Sequence, residues 1–75
     1  MNEQKLKTVF AESLGIPEET VVDALAYATI PQWDSIAHMA LIAAIEDRFQ
    51  VMIETEDVID MSNFAKAKEI VAKYL

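Results

Sequence analysis

The sequence predicts an all-α fold, a small four-helix bundle of three main helices with a short helix before the last and a long ordered loop after the first. Apolar residues recur at the spacing of one helix face in three separate stretches. Helix-capping residues stand at the edges of those stretches. The alternation of a β-strand is missing: Val51 to Ile53 is the only candidate, and it is too short to stand alone.

In the first stretch Leu6, Val9, Phe10 and Leu14 fall at i, i+3, i+4 and i+8, and Gly15 sits where a glycine ends a helix. Ile16-Pro17 then breaks the period, because the residue before proline is pushed out of the helical region. From Pro17 to Trp33 no period is sustained. Thr20-Val21-Val22-Asp23 can close one turn as a capping box. The apolar content of this connection (Val21, Val22, Leu25, Tyr27, Ile30) predicts that it lies against the helices. Asp34-Ser35 supplies two N-cap residues ahead of the second helix. Its core face is Leu41, Ile42, Ile45 and Phe49, and it ends near Gln50. Thr55 is expected to cap a short acidic turn from Glu56 to Asp60, with Val58 and Ile59 pointing inward. Ser62 or Asn63 caps the last helix, where Phe64, Ala67, Ile70, Val71, Tyr74 and Leu75 form the apolar side. Bundles of this kind bury one stripe per helix around a single core.

With 75 residues, positions 1–75 form one domain. A domain of this size buries roughly 60% of the surface of its unfolded chain, so its core is thin. There is no cysteine, which removes disulfides, thiolate metal sites and thiol nucleophiles. The longest nearly apolar run, Ile36 to Ile45, falls well short of the roughly 20 residues that cross a bilayer. The first residues lack the apolar stretch of a signal peptide, so a cytoplasmic location is expected. No membrane partner is expected either.

The formal charge is −7, and between Thr8 and Ala65 the only cation is Arg48, against 11 carboxylates. Such a surface repels a phosphate backbone and attracts basic proteins, so nucleic acid is not an expected partner. Hydrophobic content of 53% is high for so small a domain. Either some apolar surface meets a partner or the core has slack for a guest.

Catalytic chemistry finds little support. Asp34, Ser35 and His38 make a nucleophile-base-acid set on paper, yet they lie within one helical turn and no oxyanion donors are in view. The single histidine reads better as a partly exposed residue near a helix N-terminus. Glu54, Glu56, Asp57 and Asp60 lack the alternation and the glycine of a calcium loop, so they read as a solvated acidic helix and no metal is expected. An Asp-Ser pair ahead of a helix is, by itself, a cap.

The order of elements carries more. Lys5-Leu6-Lys7 through Leu14-Gly15-Ile16, Glu18-Glu19-Thr20-Val21, Asp34-Ser35-Ile36, and Leu41 followed by Ile45-Glu46-Asp47 and Phe49 stand in sequence from about Glu3 to Leu75. Together they resemble the acyl carrier protein family. In it, an Asp-Ser-Leu motif precedes a Leu-x3-Leu-Glu-Glu-x-Phe run. The resemblance implies that Ser35 carries 4′-phosphopantetheine, transferred covalently from coenzyme A, and that Asp34 helps the phosphopantetheinyl transferase to recognise it. It implies a monomeric, non-enzymatic carrier. Its thiol arm holds acyl intermediates as thioesters for acyl-loading and acyl-processing enzymes.

The sequence also departs from the fatty-acid members of that family. Ala37 and Ala40 stand where acids are usual, and Trp33 replaces a small residue before Asp-Ser. Trp33-Asp34-Ser35 with His38 three places on resembles carriers of specialised pathways, including polyketide, peptide and modified fatty-acid assembly. The expected partner-facing residues are Trp33, Ile36, Met39, Ala40, Ala43, Asp47, Glu54 and Asp57. For Met39, gap-filling within the core is an equal expectation. The competing reading is an interaction module with the carrier fold that is never modified. A more distant one is a small helical regulator sharing the pattern.

Overall fold

The computed structural model describes residues 2–75. It is all-α among those residues. Helix α1 spans Glu3–Leu14, α2 spans Ser35–Phe49, α3 spans Thr55–Asp60 and α4 spans Phe64–Lys73. A single 3-10 turn, Glu18–Thr20, interrupts the connection between α1 and α2. No helix of the described residues is long and apolar enough to cross a membrane.

The caps expected from sequence largely hold. Helix α1 starts on a cap not expected from sequence: the Asn2 side chain accepts the Lys5 N–H at 3.1 Å. At the other end Gly15 takes φ 68°, and the N–H groups of Gly15 and Ile16 both reach the Ala11 carbonyl. That left-handed turn is the conformation glycine enters without a Cβ penalty. Of the two N-cap candidates for α2, Asp34 is the cap: its Oδ1 accepts the Ala37 N–H at 2.8 Å, and Ser35 becomes the first helical residue. Asn63, not Ser62, caps α4 through the Lys66 N–H at 2.7 Å. Gln50 closes α2 at φ 56°.

The core is one continuous cluster. Leu6, Val9, Phe10 and Leu14 of α1 meet Leu41, Ile42 and Ile45 of α2 and Phe64, Ala67, Ile70 and Val71 of α4. Phe10 sits at its centre, edge-on to Trp33 and Phe64 with ring centroids 5.5 and 5.0 Å away. Arg48 bridges to Glu12 across the α1–α2 seam at 3.1 Å.

The long connection is ordered by burial of Val21, Leu25 and Trp33. Its middle is pinned to the start of α4, where Tyr27 N–H donates to the Ser62 carbonyl (2.8 Å) and Phe64 N–H to the Leu25 carbonyl (2.9 Å). Lys68 adds an ion pair to Asp23 at 2.6 Å.

Several local expectations are corrected. The turn in the connection forms at Glu18–Thr20 rather than Thr20–Asp23, because Pro17, at φ −64°, starts it and no side chain caps it. Val22 and Tyr27 are exposed although Val21 and Leu25 are buried. Val22 follows Val21 in non-helical chain, where adjacent side chains point to opposite sides, and Tyr27 sets its ring edge-on against Trp33 and His38 at the surface. Helix α3 begins at Thr55 with Glu54 in the cap position and no side-chain capping hydrogen bond. Ile59 faces out, 74% exposed, since adjacent residues of a helix lie about 100° apart and only Val58 turns inward. Leu75 is exposed beyond the end of α4.

Candidate functional site

Ser35 is exposed at the first residue of α2. A helix start leaves its first N–H groups without intrahelical acceptors. Here the Asp34 side chain takes one of them, the Ala37 N–H, while its carbonyl accepts the His38 N–H at 2.8 Å as the first backbone bond of the helix. The amides of Ser35 and Ile36 remain available to an external anion, which the helix dipole also favours.

Beside Ser35 lies an open apolar groove of about 360 Å³. Ser35, His38 and Met39 of α2 form one side, together with Tyr27 from the long connection. Val58, Ile59, Met61 and Ser62, from α3 and the residues after it, form the other. The Ser35 side chain therefore opens onto a mostly apolar trough between α2 and α3.

The groove's inner wall is set by a chain of three groups. The Trp33 indole N–H donates to His38 Nδ1 at 3.0 Å, and His38 Nε2 lies 2.8 Å from the Val58 carbonyl. An indole N–H can only donate, so Nδ1 accepts and the ring hydrogen sits on Nε2, where it donates to Val58. The two rings lie edge to edge and nearly coplanar, with planes 25° apart, as an in-plane N–H to Nδ1 bond requires. Three elements are thereby tied together: the end of the connection, α2 and α3.

That arrangement decides two expectations. His38 is half-buried, and both of its ring nitrogens are engaged away from Ser35, while the Asp34 carboxylate caps the helix. The three members of the paper triad are adjacent in sequence but do not form a hydrogen-bonded relay. Trp33 is corrected from a partner-facing residue to a core residue, 0% exposed. The connection folds back just before α2, with Trp33 N–H on the Ile30 carbonyl and Ala28 N–H on the Trp33 carbonyl. Ala28 takes φ 64° to allow this, and the indole turns inward between Phe10 and Tyr27.

Of the other expected partner-facing residues, Ile36 is 81% exposed, Met39 is 60% exposed, and Ala40 and Ala43 are exposed beside them. Met39 is thus surface rather than core filling. Asp47 is exposed on α2, twelve residues on from Ser35 and so about 18 Å further along the axis. Glu54 is exposed at the start of α3.

Asp57 is corrected. Its side chain is 14% exposed and bound within the fold, by Lys73 Nζ at 2.7 Å and by the Tyr74 hydroxyl. Hydrogen bonds from Lys73 and then Tyr74 hold its carboxyl below the usual carboxylate range. Hydrogen bonding to Asp57 likewise raises both Lys73 and Tyr74 above their ordinary values. An acid this engaged has little left to offer a partner. Among the described residues no group of three or more acids or histidines is placed to hold a metal ion.

Sequence reasoning missed Tyr27, Val58, Ile59, Met61 and Ser62 as groove residues. For Ile59 the signal was weak: it lies about 100° from Val58 on a six-residue helix, a separation at which Val9-Phe10 and Leu41-Ile42 are both buried. For the others, no local pattern marks a groove that forms only where two distant segments meet.

The fold and site define a small helical bundle with an exposed serine at a helix start beside an apolar groove. No family model matches the chain.

Proposed function

We propose that this protein is an acyl carrier whose Ser35 bears 4′-phosphopantetheine. The observation that carries the reading is Ser35 itself: exposed, first in α2, and opening onto an apolar groove. The resemblance of Asp34-Ser35-Ile36 and the run from Leu41 to Phe49 to the acyl carrier family gives that serine its chemistry. A transferase reaches it from solvent. The Ser35 oxygen forms the new bond to the phosphorus that coenzyme A supplies, the hydroxyl proton leaves, and adenosine 3′,5′-bisphosphate departs.

The residues fit such a group. The free Ser35 and Ile36 amides and the α2 dipole favour a phosphodiester at this position. When attached, the group supplies a terminal thiol that holds acyl intermediates as thioesters, chemistry that a cysteine-free chain lacks. The carrier catalyses nothing itself. Partner enzymes dock on the exposed apolar stripe of Ile36, Met39, Ala40 and Ala43, with Asp34, Asp47 and Glu54 at its margins. The lack of acids at Ala37 and Ala40 supports a role in a specialised pathway, such as polyketide, peptide or modified fatty-acid assembly. Coenzyme A as donor makes the cytoplasm its setting.

The test is mass spectrometry after incubation with coenzyme A and a broad-specificity phosphopantetheinyl transferase. One phosphopantetheine should be added to the wild type and none to Ser35→Ala, which stays folded because Asp34, not Ser35, supplies the cap. A wild type that is never labelled would leave the unmodified interaction module as the reading. Asp34→Asn keeps a good cap residue but loses the charge. It should be labelled more slowly than the wild type at low salt, and the gap should close as salt is added. Equal rates at low salt would remove Asp34 from recognition.

A further inference from the structure

We infer that the Trp33 indole and the His38 imidazole form a side-chain staple across Asp34-Ser35 that holds Ser35 in position for modification. The inference rests on the carrier reading of Ser35 and adds two positioning residues to it. Trp33 precedes the Asp34-Ser35 pair and His38 closes the first turn after it, and the indole N–H donates to Nδ1 at 3.0 Å. With the ring planes 25° apart, that bond runs close to the plane of the imidazole, where the Nδ1 lone pair lies. The bond closes a ring of chain through Asp34, Ser35, Ile36 and Ala37. Both ends of the ring are fixed. Trp33 is fully buried and edge-on to Phe10, with its N–H on the Ile30 carbonyl and its own carbonyl taking the Ala28 N–H. His38 is held by its N–H on the Asp34 carbonyl and by Nε2 on the Val58 carbonyl.

A helix start frays because its first residues have no preceding turn to bond to. The Asp34 cap on the Ala37 N–H opposes fraying from within the segment, but it does not fix where the segment sits. The staple does, because it ties the first turn of α2 to a residue in the core. Ser35 itself stays exposed. A nucleophile already held in one position loses less freedom on entering a transferase site, and misplacing a reacting atom by about 1 Å can cost about a hundredfold in rate. Both ring nitrogens of His38 are engaged away from Ser35, so it acts, like Trp33, as a positioning residue and takes no proton from the hydroxyl. Two substitutions separate its two bonds. Asparagine brings an amide oxygen near the place of Nδ1, whereas glutamine brings its amide nitrogen near the place of Nε2. His38→Asn therefore keeps the staple and gives up the bond to α3, and His38→Gln does the reverse.

The experiment labels the protein from coenzyme A with a broad-specificity phosphopantetheinyl transferase, measuring kcat and KM for the carrier separately. Backbone NMR relaxation at Ser35 and Ile36 is recorded before labelling. In the unmutated protein both amides should report rigid backbone, and in His38→Ala and His38→Gln both should report loosened backbone. The same two variants should lose about tenfold or more in kcat. Their KM should change little, because Ile36, Met39, Ala40 and Ala43 stay on the surface of α2. His38→Asn should restore both the rigidity and kcat. Rescue by His38→Gln rather than His38→Asn, or equal kcat in all variants, would overturn the staple while labelling of Ser35 upholds the carrier reading. Relaxation at Ser35 and Ile36 that is unchanged in His38→Ala would overturn the staple whether or not Ser35 is labelled. An unmutated protein that is never labelled would overturn the carrier reading and, with it, the role of the staple in modification.

Discussion

Two segments flank the groove and are held in opposite ways. The connection from Ile16 to Asp34 has almost no regular structure, yet it buries Val21, Leu25 and Trp33. Helix α3 is regular, yet none of its six residues is fully buried: Val58 packs against the edge of the core, and the flanks Ile53 and Met61 enter it. What holds α3 is polar: His38 to the Val58 carbonyl on the α2 side, and Tyr74 and Lys73 to Asp57 on the α4 side. The Tyr74 hydroxyl also accepts the Glu54 N–H at 3.0 Å. Regularity and anchorage are thus separate properties. Anchorage follows apolar area removed from water, and the irregular segment has more of it.

The largest effect should come from removing an anchor of the irregular segment. Trp33→Ala is expected to cost about 3–5 kcal/mol, the usual range for a large aromatic lost from a core. A domain this small has little stability beyond that. Urea denaturation should show the variant largely unfolded or close to it. A loss below about 1 kcal/mol would mean that the connection is anchored elsewhere.

A smaller and local effect is expected at α3. Tyr74→Phe removes the phenol from both Asp57 and the Glu54 N–H. Amide exchange at Val58 and Met61, whose N–H groups donate to Glu54 and Asp57 carbonyls, should quicken while that of the core helices changes little. A uniform rise across all helices would show that α3 and the core open as one unit.

The same clamp sets a pH window. Asp57 has a lowered pKa, so its contribution is present above the unfolded aspartate value and is lost as pH falls through the folded one. Lys73 and Tyr74 are raised, so theirs is present below their unfolded values and is lost as pH rises through the folded ones. Protection of α3, corrected for intrinsic exchange rates, should therefore be highest between these limits and fall at both ends. A flat profile would remove the clamp from the account.

The smallest effect is reserved for the exposed apolar residue of the regular segment. Ile59→Ser should change stability by no more than about 0.5 kcal/mol, as surface substitutions usually do. A loss above about 1.5 kcal/mol would show that Ile59 is packed, as its sequence position first suggested.

Much of this was legible in the residue order. The stripes Leu6-Val9-Phe10-Leu14, Leu41-Ile42-Ile45 and Phe64-Ala67-Ile70-Val71 are all buried as expected, because a helix's period converts spacing directly into a face. Gly15, Asp34 and Asn63 cap where their chemistry indicated, since a cap is satisfied within a few residues of chain. The exposure of Ser35 and Ile36 followed from the same helical geometry, whereas for Met39 the sequence left surface and core packing equally open.

Trp33, Asp57 and Ile59 were misplaced for a shared reason. Each one's environment depends on residues far along the chain: Phe10 for Trp33, Lys73 and Tyr74 for Asp57, and for Ile59 the core of α1, α2 and α4, toward which α3 turns Val58 instead. The sequence by itself determined the helices, their caps, their buried stripes and the serine at the head of α2, all of which obey interactions spanning about one or two turns. Only the tertiary structure decided that a tryptophan beside that serine turns inward, that a histidine bridges it to α3, and that a groove opens there. Those outcomes depend on how segments remote in sequence pack, and side-chain spacing along one helix carries no information about its neighbour's surface.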